Sequence, residues 1–180
     1  MLSAYAPIGA GIPNARVDRV IGVVKAYSSC VGTGPFVCEL FGEEADNLRK
    51  IGNEVSGNRP HRVGPIDLVA TRYGVKVQNA TEIALTKLDV LSKLERIPLC
   101  VRYKLYDRET DEMPFPSVLD RCEPVVEYMP GWNCDISNVR NWWDLPKEAQ
   151  DYVKRIEDNV GVIIKWISVG PERHSIIRRG

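Results

Sequence analysis

The chain has 180 residues, 44% of them hydrophobic and 27% charged, and a formal net charge of zero. That size and balance describe one folded domain, residues 1–180, or a large part of one. Zero net charge excludes general attraction to nucleic acid or an anionic membrane, and no apolar run is long enough to span a bilayer. Met1-Leu-Ser-Ala-Tyr5 shows no basic segment followed by an apolar one, so no secretory signal is read and the expected compartment is cytoplasmic. Cys30, Cys38, Cys100, Cys122 and Cys134 form no Cys-x-x-Cys pair, and His61 and His174 are the only histidines. This pattern reads as reduced thiols, with neither a disulfide framework nor a metal site.

Pro7 to Pro13 is a Gly/Pro-rich connecting loop without the pattern of a dinucleotide fingerprint. Pro13 with Val17, Val20, Ile21 and Val24 predicts a helix, and Lys25 to Val31 a strand. Val31-Gly-Thr-Gly-Pro-Phe36 is then a tight turn whose glycines allow close backbone approach to a ligand, or simply a turn. Glu43 to Ile51 reads as a helix with acids near its positive end. Gly52 to Pro65 is an irregular polar loop carrying Arg59, His61 and Arg62. Arginine forks suit carboxylate or phosphate, though a solvated surface loop fits as well.

Ile66 to Gln78 predicts a helix. Glu82 to Leu88 predicts a strand buried on both faces, through the run Ile83-Ala84-Leu85. In open α/β sheets ligands bind at the carboxyl ends of strands, where this strand delivers Lys87 and Asp89. A carboxylate there can accept from the N1–H and 2-amino group of guanine, a donor pair adenine lacks. A Lys stem can lie along a purine face with its ammonium in water. A plain strand end with a solvated Lys and a capping Asp accounts for the same residues.

Leu91 to Arg96 reads as a short helix, Leu99 to Leu105 as a half-exposed strand, and Tyr106 to Ser117 as a loop or hairpin tip. Pro124 to Met129 is a weaker strand, closed by Pro130-Gly-Trp132. Asp144-Leu-Pro-Lys-Glu148 predicts a helix start, followed by Ala149, Tyr152, Val153, Ile156 and Val160 on one face. Val162 to Val169 predicts a second apolar strand, ending in Ser168-Val-Gly-Pro171. If the two apolar strands are neighbours, their terminal turns meet over one ligand. Strands alternating with amphipathic helices predict an α/β fold, a mainly parallel sheet with helices on both faces. No Gly-x-x-x-x-Gly-Lys-Ser/Thr loop accompanies them.

Val31-Gly-Thr-Gly-Pro-Phe36, Arg59-Pro-His-Arg62, Asp67-Leu-Val-Ala70, Leu85-Thr-Lys-Leu-Asp-Val-Leu91, Pro130-Gly-Trp132 and Ser168-Val-Gly-Pro171 stand in one order. In that order and spacing they resemble the adenylosuccinate synthetase family, from about Pro7 to Arg173 and in its C-terminal portion. The resemblance implies an incomplete P-loop-NTPase-like fold and a cytoplasmic, homodimeric ligase. That ligase joins IMP to L-aspartate with GTP and Mg²⁺. It implies that Lys87, Leu88 and Asp89 contact guanine, with Ser168, Val169 and Gly170 closing the pocket. It also implies that Val31 lies by the IMP ribose and that Ser56, Gly57, Asn58, Arg59, His61 and Arg62 form the substrate loop.

Two departures stand out. The loop reads Glu54-Val-Ser-Gly-Asn-Arg59, shortened and without the family's consecutive threonines, and His61 stands where an arginine is usual. The phosphate-cradling loop, the catalytic Asp and His and most Mg²⁺ contacts of the family have no counterpart here, so no catalytic or metal residue is assigned. A truncated or split ligase, with a separate N-terminal half as partner, is the leading reading. A non-catalytic guanine-nucleotide-binding module and a ligase with another purine or amino-acid substrate are the alternatives.

Overall fold

The computed structural model describes residues 2–179. Its elements in chain order are α1 (Ala6–Gly9), β1 (Ile21–Lys25), β2 (Ser28–Cys30), α2 (Gly42–Gly52), β3 (Val55–Ser56), β4 (Arg59–Pro60), β5 (Arg62–Gly64), β6 (Ile66–Asp67) and α3 (Leu68–Gln78). They continue with β7 (Glu82–Thr86), β8 (Arg96–Leu105), β9 (Arg108–Thr110), β10 (Cys122–Pro130), α4 (Lys147–Val160), β11 (Ile163–Ser168) and β12 (Ile176–Arg178).

The principal sheet runs β1-β7-β11-β12. β1 and β11 both pair with β7 in parallel, and β12 closes the far side antiparallel to β11. The two apolar strands read from the sequence are therefore interior neighbours in a mostly parallel sheet. Their inward side chains, Ile83, Leu85, Ile164 and Ile167, are fully buried with Tyr152, Val153 and Ile156 of α4 and with Val75 of α3. α3 and α4 touch one another over this face, as successive right-handed crossovers advancing in one direction require. By the two-residue alternation of strands, Ile21, Val23, Ile163 and Ile176 point to the opposite face, and all four are exposed. A second helical layer over that face is not formed by the described residues.

A second sheet, β10-β8-β6 with β9 on β8, holds a smaller core of Cys38, Val69, Cys100, Tyr103 and Leu119. The helix expected from Pro13 to Val24 is not formed. Residues 15–20 have no regular structure and Ile21 to Lys25 is β1. The β-branched run Val20-Ile-Gly-Val-Val24 favours the pleated sheet over a helix. The short helix expected from Leu91 is instead a 3₁₀ turn one step earlier, Leu88–Leu91. Asp144 lies in its own 3₁₀ turn and does not cap α4, which starts after Pro146 without a side-chain cap.

Candidate functional site

The register of the principal sheet builds the site. Leu85 stands opposite Ile167 on neighbouring parallel strands. The next residues out, Thr86 and Ser168, begin two turns at the same carboxyl edge of the sheet, where α/β folds bind ligands. The two strands are neighbours, the condition on which the 86–89 and 168–170 turns are expected to face one ligand. Lys87 takes a left-handed backbone, φ 60°, which turns the chain sharply into the Leu88–Leu91 turn. Leu88 is fully buried beneath it and anchors that turn. Across from it, Ser168 Oγ donates to Gly170 O at 2.9 Å, and the buried Val169 donates its amide to Ser175 O at 2.9 Å. A Cβ added to Gly170 would lie 3.1 Å from Ser175 Oγ, so a bulkier residue crowds this turn.

Asp89 is partly buried, and among the described residues no other side chain or amide donates to its carboxylate. Burial pushes its carboxyl above the usual carboxylate range, with Asp135 adding to the rise and its own amide and Lys87 opposing it. A half-desolvated carboxylate with free lone pairs suits a ligand carrying two N–H donors.

Lys87 differs from its expected solvated state. Its ammonium lies 2.6 Å from Gly52 O at the end of α2 and 2.9 Å from Glu54 Oε1. Glu54, only 1% exposed, also accepts from Lys25 Nζ at 2.8 and 2.9 Å, from Tyr27 Oη at 2.5 Å and pairs with His61 Nδ1 at 2.9 Å. Burial would raise the Glu54 carboxyl, but hydrogen bonds from Lys25, Tyr27, His61 and Lys87 outweigh it and hold it below the usual range. Sequence reasoning passed over Glu54. No local pattern marks it, because its burial arises from β1, β2 and α2 closing around it.

The irregular 52–65 loop contains three short strands. β3 and β4 form a hairpin pairing Ser56 with Arg59, and Gly57 has φ +59° at the first central position of the two-residue turn. That is the Gly-X turn suited to strand twist. Ser56, Gly57, Asn58 and Arg59 are all exposed at its tip, and no described residue pairs with the Arg59 guanidinium. His61 points inward instead, its Nε2 2.8 Å from Ser56 Oγ. Arg62 is also committed. It donates to Glu39 Oε2 at 2.9 and 2.6 Å, and to the carbonyls of Gly32 at 3.1 Å and Gly34 at 2.6 Å. Because β2 pairs with β5 and sets Cys30 opposite Arg62, the structure brings the exposed Val31 turn beside the hairpin.

Cys38, Asp67 and Cys100 bring ligand-type atoms within 4.8 Å of one another, all buried. Their atoms are already engaged. Cys38 Sγ is 3.6 Å from Asp67 Oδ2, Asp67 Oδ1 accepts from Ala70 N at 3.0 Å as the cap of α3, and Tyr103 Oη donates to Asp67. An apolar cavity of about 260 Å³ lies between α2 and the second sheet, lined by Leu48, Ile51, Ile97 and Tyr128 among others, and none of Lys87, Asp89, Ser168 or Gly170 borders it. No helix among the described residues is long and apolar enough to cross a membrane.

Residues 1–177 match the family model described as adenylosuccinate synthetase. The chain is 48% identical over 174 residues to the adenylosuccinate synthetase of Acidothermus cellulolyticus, covering 94% of this chain and 41% of that protein. It is 49% identical over 175 residues to that of Caldanaerobacter subterraneus, covering 96% and 41%. The structure of fully ligated adenylosuccinate synthetase from Plasmodium falciparum superimposes with a TM-score of 0.86 at 37% identity, over 91% of this chain and 40% of that one. The chain thus spans about two-fifths of the length of these relatives.

Proposed function

Since this chain belongs to the adenylosuccinate synthetase family, a family of ligases, we propose that it is the C-terminal, guanine- and substrate-binding part of a GTP-dependent enzyme joining IMP to L-aspartate. The observation that carries this reading is the pairing of Leu85 with Ile167, which sets the Lys87–Asp89 and Ser168–Gly170 turns side by side at the carboxyl edge of the sheet. There the Asp89 carboxylate accepts from the N1–H and 2-amino group of guanine, while Leu88 fixes the turn. Ser168, Val169 and Gly170 close the other side of the base. Val31, on the exposed turn that Arg62 braces, lies by the IMP ribose. Arg59, on the hairpin tip formed with Ser56, Gly57 and Asn58, receives a carboxylate or phosphate as a fork. His61, held by Glu54 and Ser56 within the loop, borders the substrate from that side.

The open sheet face supports the reading as a portion of a larger assembly, because parallel sheets are ordinarily covered on both faces. The one converging ligand set among the described residues does not suit Mg²⁺. The converging Cys38, Asp67 and Cys100 set offers two thiols, whereas Mg²⁺ takes oxygen ligands. Phosphoryl transfer needs phosphates, metal and acceptor oxygen fixed in line, and no phosphate-cradling loop occurs in this sequence. The chain by itself is therefore expected to bind and orient, and to form no adenylosuccinate.

Calorimetry of GDP and ADP with the purified chain tests the reading. GDP should bind at least about tenfold tighter, the value of one buried hydrogen bond to a charged acceptor. Equal affinities would remove the guanine pocket. Selective GDP binding without restored ligase activity, once the uncovered portion of a relative is added, would favour a non-catalytic guanine-nucleotide module.

A further inference from the structure

We propose that Glu54 is a positioning residue that couples the guanine pocket to the substrate hairpin, so that base binding at Lys87 orders the loop carrying Arg59. This rests on the functional reading above. The two oxygens of Glu54 face two different sites. Oε1 holds Lys87 of the pocket turn at 2.9 Å, and Oε2 holds His61 of the loop at 2.9 Å. The chain continues on both sides. Lys87 also donates to Gly52 O at 2.6 Å, and His61 Nε2 reaches Ser56 Oγ at 2.8 Å, on the hairpin opposite Arg59. The backbone repeats the link, since His61 N donates to Glu54 O and Glu54 N to Arg49 O, each at 2.9 Å.

Burial makes this link stiff. Glu54 is 1% exposed and cannot exchange a missing partner for water, so each donor it keeps is held in one place. Lys25 and Tyr27, which donate to the same carboxylate, clamp it to the ends of β1 and β2. A purine lying along the Lys87 stem fixes the ammonium and hence the carboxylate. The carboxylate then fixes the imidazole and the hairpin. By linkage, a ligand gripped by the hairpin tightens the pocket by the same factor. His61 acts here as the internal strut of the loop, bonded to Glu54 on one ring nitrogen and to Ser56 on the other.

Backbone amide exchange of residues 55–61, measured with and without GDP, tests the coupling, together with GDP affinity by calorimetry. In the native chain GDP should slow exchange across the hairpin. In Glu54→Gln the affinity should fall about tenfold and the protection at residues 55–61 should vanish. Unchanged protection in a folded Glu54→Gln chain would overturn the proposal. Lys87→Met supplies a second arm that needs no nucleotide and leaves Glu54 in place. Hairpin exchange should rise at least about threefold in the ligand-free variant, as expected when one charged donor is removed from a shared network. Native-like exchange in Lys87→Met would also overturn the coupling. Failure of the native chain to bind GDP would count against the guanine pocket alone, because the ligand-free comparison still decides the link.

Discussion

Leu85 of β7 and Ile167 of β11 face each other in parallel register, and neither side chain reaches solvent. A shift of one residue in that pairing would turn one strand's apolar set to the open face of the sheet, so the register past the irregularity between Ile164 and Trp166 is strongly specified. It follows that the two polar turns leaving these strands are held level with one another by the core. Their shared position depends on packing beneath the site, and no contact between the turns themselves is needed.

Acid should expose the role of Glu54 in stability. Its carboxyl lies below the usual range when folded. Its contribution is therefore complete above the unfolded value, near 4.3 for Glu, and is lost as pH falls through the folded one. Asp67 has the opposite sign. Burial raises it despite the Ala70 amide, Tyr103 and Cys38, so its contribution is present at low pH and lost as pH rises through its folded value. Urea midpoints taken from about pH 6 to about pH 3 should fall more steeply in the native chain than in Glu54→Gln. Parallel curves would show that Glu54 is not held below its ordinary range.

The Pro130-Gly-Trp132 block has a packing role. A Cβ on Gly131 would overlap Leu94 O, and the Gly131 amide donates to Glu95 O at 2.8 Å. Trp132 Nε1 then reaches Ser92 Oγ at 3.1 Å, one residue beyond the Leu88–Leu91 turn. Gly131→Ala should therefore cost about 1–3 kcal/mol or more in chemical unfolding, as overpacking does, and should weaken GDP binding by displacing that turn. A loss under about 0.5 kcal/mol, the surface level, would deny the close approach.

Much of the frame was legible in the sequence, because apolar runs and periodic faces report burial directly. The five residues read as the buried face of α4, Ala149, Tyr152, Val153, Ile156 and Val160, are all buried. The strands ending at Thr86 and Ser168 stand where their apolar runs put them. What was not legible depended on tertiary closure. Val20 to Val24 fits a helical face and a strand equally by spacing, and β7 decided between them. The Gly57-Asn58 pair was a hairpin signal that the surrounding polar residues obscured. The inward turn of His61 and the burial of Glu54 have no local signature, since the groups that hold them come from β1, β2, α2 and β7.

The two loop arginines should separate cleanly. Arg62 braces the Val31–Phe36 turn through Gly32, Gly34 and Glu39, whereas Arg59 is exposed and unpaired among the described residues. Arg62→Ala should speed amide exchange across residues 31–36 and lower the unfolding midpoint. Arg59→Ala should leave stability within about 0.5 kcal/mol, the range of unengaged surface positions. Comparable destabilisation by both would place Arg59 in the scaffold and remove it as a substrate-facing fork.

The most direct test of the central claim is a base exchange at Asp89, read by calorimetry. Xanthine carries an oxygen where guanine carries its 2-amino group, so an acceptor replaces a donor. Asp89→Asn presents an amide N–H₂ to that oxygen and loses the second acceptor that guanine needs. The native chain should bind GDP at least about tenfold tighter than xanthosine diphosphate, and Asp89→Asn should reverse that order. Identical nucleotide preferences in the native and Asp89→Asn chains would show that this carboxylate does not read the base.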